Sequence, residues 1–332
     1  MIHVIEPGLK TTIQDMGRFG SYHLGVPPSG AADKNSYLIG NILLGNPKYY
    51  PVIEMMINGA TFEFRKQTVI TVVGAPADVW LNGIAIPMWQ TVTIQSGDIL
   101  QIKNIRKGVY TYLCISGGIA IAPLLNSYST CLVSDFEGLL GKVMEAGDMI
   151  PLNEPLPGVL KQAGKKLPKS FYPTFSEELD VHVVMGITCD RISDEGLNGF
   201  LESEWKIHYN SNRDAYRLKG GRVEYSKQAP PFGSGNNPGN IVDIPYPVGA
   251  IIIPNEEEVI VLLNDGTGGG GFVTIGTVIS SDISLLYQAR PSSVVRFHAS
   301  TVDQALQIRK EKEFQMQKLK AAVWPDTALY GQ

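Results

Sequence analysis

Between Thr11 and Gly30 the sequence reads TTIQDMGRFGSYHLGVPPSG, a stretch without a regular hydrophobic period. Polar groups with chemical use are spaced through it: Thr11, Thr12, Gln14, Asp15, Arg18, His23 and Ser29. Arg18 carries the planar fork that clamps a carboxylate or phosphate at two points. Asp15 can orient that fork or accept a proton, which makes the two the candidate catalytic pair. Gln14 and Thr11 offer both donor and acceptor to an amide-like substrate such as a lactam or a urea. With Ser29 they are the first candidate substrate-binding residues. Four glycines (Gly17, Gly20, Gly25, Gly30) and two prolines (Pro27, Pro28) fix a specific irregular path. An ordered loop of this kind usually does more than connect. The competing reading is structural: a long loop pinned by an Asp15–Arg18 pair.

A second stretch, DGTGGGG from Asp265 to Gly271, follows a strand pattern. Bare backbone N–H groups can cradle an anion, but the run lacks a GK[ST] end, and FVTIGTVIS after it reads as another strand. It also lacks the strand-then-helix context of a dinucleotide fingerprint. A glycine-lined ligand wall or a hinge loop is the reading kept. Ser116-Gly117-Gly118 ends another strand pattern and lets a backbone approach something closely, or makes a bulge. Spacing alone defends no Ser–His–Asp or Cys–His nucleophile set. The five histidines are scattered, and none stands at ligand spacing from Cys or His, so no metal site is expected. Three cysteines without a CxxC are read as reduced thiols.

These residues need a scaffold. A chain of 332 residues with 44% hydrophobic and 18% charged residues can bury a large core, and two domains are the prior. The formal charge of −4 gives no electrostatic footprint for nucleic acid. The opening MIHVIEPG reads as a strand and a turn, and no apolar run approaches membrane-spanning length. A cytoplasmic location is the default expectation. Residues 32–44 show helical spacing, with Asp33 as cap and Gly45-Asn46-Pro47 as stop. From Val52 to Ile150 the period is two, broken by turn pairs such as Asn58-Gly59, Asn82-Gly83 and Ser96-Gly97. Prolines and lysines then mark a linker, and a second pass of strand, short helix and many strands follows. The expected fold is mainly β. An N-terminal barrel spans 1–152, a linker 153–178, a C-terminal barrel 179–300 and a helical tail 301–332, with a few short helices besides.

The segments TTIQDMGRFG, GVPPSGAAD and GNILLGNP with Glu54 beyond resemble the opening of the allophanate hydrolase subunit 2 family. That family includes the C component of ATP-dependent 5-oxoprolinase, an antagonist of a sporulation-kinase inhibitor, and half of the carboxyltransferase domain of urea carboxylase. The resemblance implies two cyclophilin-like β-barrel domains with a cleft between them. SNRDAYRL resembles the family's Ser-Asp-Arg-Met-Gly-Tyr-Arg-Leu, keeping Arg213, Tyr216 and Arg217, and LLNSYST has Tyr128 where arginine is usual. The family usually carries Asp-Arg-Gln-Thr-Thr-Gly-Gly-Tyr-Pro-Lys at the glycine run. Here Asp265, Gly270 and Gly271 remain, while the arginine, glutamine and lysine fall at Gly266, Thr267 and Thr274. The expected substrate-binding set therefore comprises Thr11, Gln14, Ser29, Glu54, Ser116, Gly117, Arg213, Tyr216, Asp265, Gly270 and Gly271. Solvated strand ends or an ion pair between domains is the competing reading for Arg213 and Arg217.

The resemblance implies a subunit of an ATP-dependent amide- or lactam-processing enzyme, most like the C component of 5-oxoprolinase, which turns 5-oxoproline into glutamate with partner subunits. Its partners would be a homologue of the 5-oxoprolinase B component, similar to allophanate hydrolase subunit 1, and a ring-opening A component. ATP would be shared with the partner subunit. The alternatives are the carboxyltransferase component of a biotin-dependent, urea carboxylase-like enzyme, with biotin supplied by another chain, and a non-catalytic regulatory protein. The glycine replacements motivate the last of these. Every enzymatic version requires the neighbourhood of Arg18 and the backbone near Gly270 to face one hollow.

Overall fold

The structure, a computed structural model, describes residues 1–325, the side chain of Gln162 excepted. The end of the expected tail, 326–332, lies outside the described residues. The fold is mainly β, with few helices. The chain forms two compact units. The first takes Met1–Phe19, Ser29–Phe175 and the described chain from Glu313; the second takes Gly20–Pro28 and Ser176–Lys312.

In the first unit, short strands build two antiparallel sheets around one core. Its strands are β1 (Ile2–Glu6), β2 (Lys10–Gln14), β3 (Val52–Met56), β4 (Thr61–Phe64), β5 (Thr68–Gly74) and β6 (Asp78–Leu81). They continue with β7 (Ile84–Ala85), β8 (Val92–Ile94), β9 (Ile99–Lys103), β10 (Tyr110–Ile115) and β11 (Met149–Ile150). One sheet runs β11-β1-β4-β9-β6-β7 and the other β2-β3-β10-β5-β8. Ile2, Val4, Phe62 and Phe64 from the first meet Ile13, Ile53, Ile70 and Leu113 from the second in the core. Asn82 (φ 51°) and Gly83 (φ 78°) turn β6 into β7 with the paired positive φ values of a tight hairpin.

Helix α1 (Lys34–Leu44) packs on β5 and β10 of this unit. Asp33 caps it, accepting from Asn35 N and Ser36 N at 3.1 Å each, and Gly45 ends it at φ 69°. The stretch read as a linker on composition is built into this unit up to Phe175. Leu167 and Val159 are buried, and Leu167 N and Lys165 O bond the backbone at Trp89 and Thr91.

The second unit is built on a closed barrel. Its strands are β12 (Glu178–Met185), β13 (Trp205–Ile207), β14 (Ala215–Lys219), β15 (Asn240–Pro245), β16 (Ala250–Asn255) and β17 (Glu258–Leu262). After them come β18 (Gly269–Phe272), β19 (Thr274–Val278) and β20 (Val294–Ser300). Seven strands close in the order β12-β19-β16-β17-β14-β13-β20, with the parallel pair β12–β20 sealing the ring. Helix α2 (Asp194–Glu202), capped by Ser193, brings Phe200 to stack on Phe297 at 4.7 Å. Helix α3 (Ile283–Gln288) follows β19. The separate ribbon β15–β18 absorbs Gly269, Gly270 and Gly271 of the glycine run into a strand.

The final helix, α4 (Val302–Val323), is the helix the tail composition predicts. Within the first unit its end is held by Trp324, whose indole N–H donates to Ile42 O at 2.6 Å, one of the last carbonyls of α1. Lys165 lies 4.0 Å over that indole and donates to Val323 O at 2.8 Å.

Candidate functional site

The opening loop is pinned by its own polar side chains. Asp15, only 4% exposed, accepts from Ser127 Oγ (2.7 Å), Tyr128 N (2.7 Å), Gly17 N (2.8 Å) and Ser129 Oγ. Those donors join two family-like segments more than a hundred residues apart, the opening loop and NSYST. Arg18, 1% exposed, donates from Nε to Leu124 O (3.0 Å) and from Nη2 to Ser129 O (2.8 Å), with Phe136 4.9 Å below its guanidinium. The structure thus places the candidate catalytic pair in contacts that hold one loop against another.

The same holds for most of the candidate substrate-binding residues of this unit. Three successive amides after Gly30 are held in turn: Ala31 N by Asp15 O (2.8 Å), Ala32 N by the Glu54 carboxylate (2.8 Å), and Asp33 N by the Tyr112 hydroxyl (2.7 Å). Tyr112 donates to Glu54 at 2.9 Å. Burial, then the charges of Glu54 and Asp33, push the Tyr112 hydroxyl well above the usual phenol range. Thr11 Oγ1 donates to Pro7 O, and Gln14 Nε2 to Thr12 Oγ1 (3.1 Å) and Thr130 O (3.2 Å). Ser116 Oγ accepts from Leu156 N, and Gly117 N donates to Asn46 Oδ1. Gly117 sits at φ 80°, where a Cβ would strike Glu154 O. Two polar atoms in this set, Gln14 Oε1 and Ser29 Oγ, are buried with no protein partner.

In the second unit, Arg213 and Asp265 form a buried two-point ion pair, Nε–Oδ2 2.8 Å and Nη2–Oδ1 3.3 Å. Tyr287 clips the same corner, donating to Arg213 O (3.1 Å) and accepting from Asn264 N (2.9 Å). Tyr216 donates to Tyr287 O at 3.1 Å, and burial raises its hydroxyl pKa. This corner fixes the start of the glycine run. Beyond it two of the glycines have a steric reason. A Cβ on Gly268 would come 2.5 Å from the Tyr22 ring, and one on Gly270 would come 2.8 Å from the Tyr246 ring. Tyr246 also bridges the strand end, accepting from Phe272 N (2.6 Å) and donating to Phe272 O (3.0 Å).

Tyr22 stands in a short 3-10 turn, Tyr22–Leu24, of the opening stretch. It belongs to the second unit because residues 20–28 do. Tyr22, itself 40% exposed, and the start of the glycine strand are therefore neighbours in one unit. Beside Gly271 and Phe272 lies a groove of about 590 Å³ with Phe232, Val242 and Asp243 on its walls. The rings of Phe232 and Phe272 on this groove give a flat amide, lactam or urea a surface on which to stack.

The run does not fit a phosphate cradle. Gly266 N is spent on Leu263 O (3.0 Å), Phe272 N on Tyr246, and β18 turns its peptides toward β15. The expected lysine position, Thr274, starts β19, and its buried hydroxyl has no protein partner. Sequence reasoning missed Tyr22 and Tyr246. Their signal was indirect: a run of glycines outside a turn implies something bulky in the space where Cβ atoms would stand. Among the described residues no group of three or more His, Cys, Asp or Glu could hold a metal ion. All three cysteines are free, and no described helix is long and apolar enough to cross a membrane.

A family model for the carboxyltransferase domain, subdomain A and B, matches residues 24–299. The chain is 32% identical over 327 residues to urea amidolyase of Saccharomyces cerevisiae, covering 96% of this chain but 18% of that protein. It is 28% identical over 334 residues to the 5-oxoprolinase C subunit of Haemophilus influenzae, covering 97% of this chain and 99% of that one. The crystal structure of urea amidolyase from Kluyveromyces lactis superposes with a TM-score of 0.88 at 30% identity, covering 96% of this chain and 20% of that one. The chain thus spans about a fifth of the urea amidolyases it matches. The resemblance drawn from the opening motifs is borne out.

Proposed function

This chain belongs to the carboxyltransferase-domain family, and from that premise we propose that it is one subunit of an ATP-dependent amide- or lactam-processing enzyme, most like the C component of 5-oxoprolinase. The observation that carries the reading is the correspondence with 99% of a protein that is itself named as one subunit of an enzyme. On this reading the substrate is 5-oxoproline and the product glutamate. The partners are a homologue of allophanate hydrolase subunit 1 and a separate ring-opening component, and the complex is cytoplasmic. The glycine strand with Tyr22 and Tyr246 supplies the wall against which the lactam lies. Asp15 and Arg18 are positioning residues that hold the opening loop against residues 124–129. Because the glycine run does not fit a phosphate group, ATP is assigned to the partner's side of the complex.

A second reading rests on the urea amidolyases, which show the higher identity of 32%. The chain would then be the carboxyltransferase part of a urea carboxylase-like enzyme. Biotin would arrive as the prosthetic arm of another chain or domain.

Reconstitution separates the two. The chain is co-expressed with its partner of the allophanate hydrolase subunit 1 type and assayed for ATP turnover driven by 5-oxoproline, and separately by urea with a biotin carboxylase component. Turnover with 5-oxoproline by the complex, and none by the isolated chain, supports the first reading. Turnover with urea alone supports the second. A stable complex inert with both overturns the two enzymatic readings and leaves a regulatory binding role.

A further inference from the structure

We propose that His182 and His298 form a binding site for a divalent transition-metal ion of the zinc class on the outer wall of the C-terminal barrel. The two stand opposite each other in the parallel pair that seals the ring, His182 on β12 in register with His298 on β20. Val181 and Val183 on either side of His182 are buried, and so are Val295 and Phe297 before His298, so alternation turns both imidazoles outward on one face, although Ala299 after His298 is itself exposed. Their side chains are 38% and 49% exposed, and their rings lie 6.0 Å apart.

Each ring is already held as a metal ligand is usually held. His182 Nδ1 bonds Asp282 Oδ2 at 2.8 Å, and His298 Nε2 bonds Asp180 Oδ1 at 2.7 Å. A carboxylate on one ring nitrogen fixes the tautomer and leaves a lone pair on the other. Here those others are His182 Nε2 and His298 Nδ1, and neither has a protein partner among the described residues. An ion bound at about 2.1 Å to each nitrogen stands about 3 Å from each ring centre, so rings 6.0 Å apart need to close by about 1 Å to share one tetrahedral ion. Imidazole pairs favour zinc, copper and nickel over magnesium or calcium. No third His, Cys, Asp or Glu joins the pair among the described residues, so solvent or an added donor fills the remaining positions.

The cations nearby are engaged elsewhere. Arg296 bonds Glu178 at 3.0 Å and also Glu204, and Lys312 bonds Ser281 O and lies 3.9 Å from Asp282. A bound ion would tie the barrel's first strand to its last across more than a hundred residues of chain. It would therefore raise stability as it fills.

The test is a titration of the purified full chain with zinc chloride, followed by calorimetry and by thermal unfolding. One ion per chain is expected, with a higher Tm. His182→Gln or His298→Gln should each weaken binding at least about tenfold and abolish the rise in Tm. Asp180→Asn, at an exposed position, should weaken it several-fold, and His208→Gln should leave it unchanged. Binding of equal strength in the His298→Gln variant, or no binding by the native chain at about 100 μM zinc, overturns the proposal.

Discussion

Asp15 gathers four donors on one buried carboxylate, and that geometry makes its replacement predictable. In Asp15→Asn the amide oxygen can still serve the donors on Oδ1. Its NH2 must then face the amide of Tyr128, a donor against a donor. A loss of about 2 kcal/mol is expected in urea unfolding. Asp265→Ala removes the buried partner of Arg213 and should cost more, about 3–5 kcal/mol. Alkaline pH gives a third prediction. Tyr37, Tyr112 and Tyr216 all have folded pKa values raised by burial. The stability they confer is complete below their unfolded pKa of about 10 and is lost as pH rises above it. Circular dichroism across that range should show unfolding accompanied by late tyrosinate absorbance. Tyr112→Phe should make the fall shallower, at the expense of about 1 kcal/mol at neutral pH from the bonds to Glu54 and Asp33. Polar residues dense in a glycine-bent loop read equally well as chemistry or as scaffold in sequence. Only the partners decide, and apart from Gly17 those named for Asp15 and Arg18 lie more than a hundred residues away.

Elements with local signals were legible. Asp33 and Gly45 bracket α1, Ser193 caps α2, and Asn82-Gly83 turns a hairpin, because each of these signals acts within four residues. The glycine run was less so. Its conversion into β18 depends on Tyr22, Tyr246 and β15, none of them adjacent to it in sequence. Gly268→Ala should displace Tyr22, whose ring stands 2.5 Å from the added Cβ. Combining it with Tyr22→Ala should remove most of the stability penalty, which a double-mutant cycle would show as a coupling of about 1 kcal/mol. The linker reading failed to anticipate that Lys165 is fixed on the Trp324 ring and on the Val323 carbonyl at the end of α4. Trp324→Ala should cost about 3 kcal/mol and free the helix end, seen as faster amide exchange over the last turn of α4.

At the scale of the molecule, mainly β architecture followed from short alternating runs and turn pairs, and the closed seven-stranded ring agrees with it. The unit boundaries were not readable. Residues 20–28 leave the first unit and join the second because Tyr22 packs on Gly268, a contact that no periodicity encodes. That contact is also where the functional proposal is most exposed. The decisive measurement is the steady-state kinetics of the reconstituted complex carrying Tyr22→Ala, with assembly checked by size-exclusion chromatography. An intact complex whose KM for 5-oxoproline rises about tenfold or more is the predicted result, as expected when a stacking wall is removed. An intact complex with unchanged KM and kcat would contradict a substrate wall at the glycine strand.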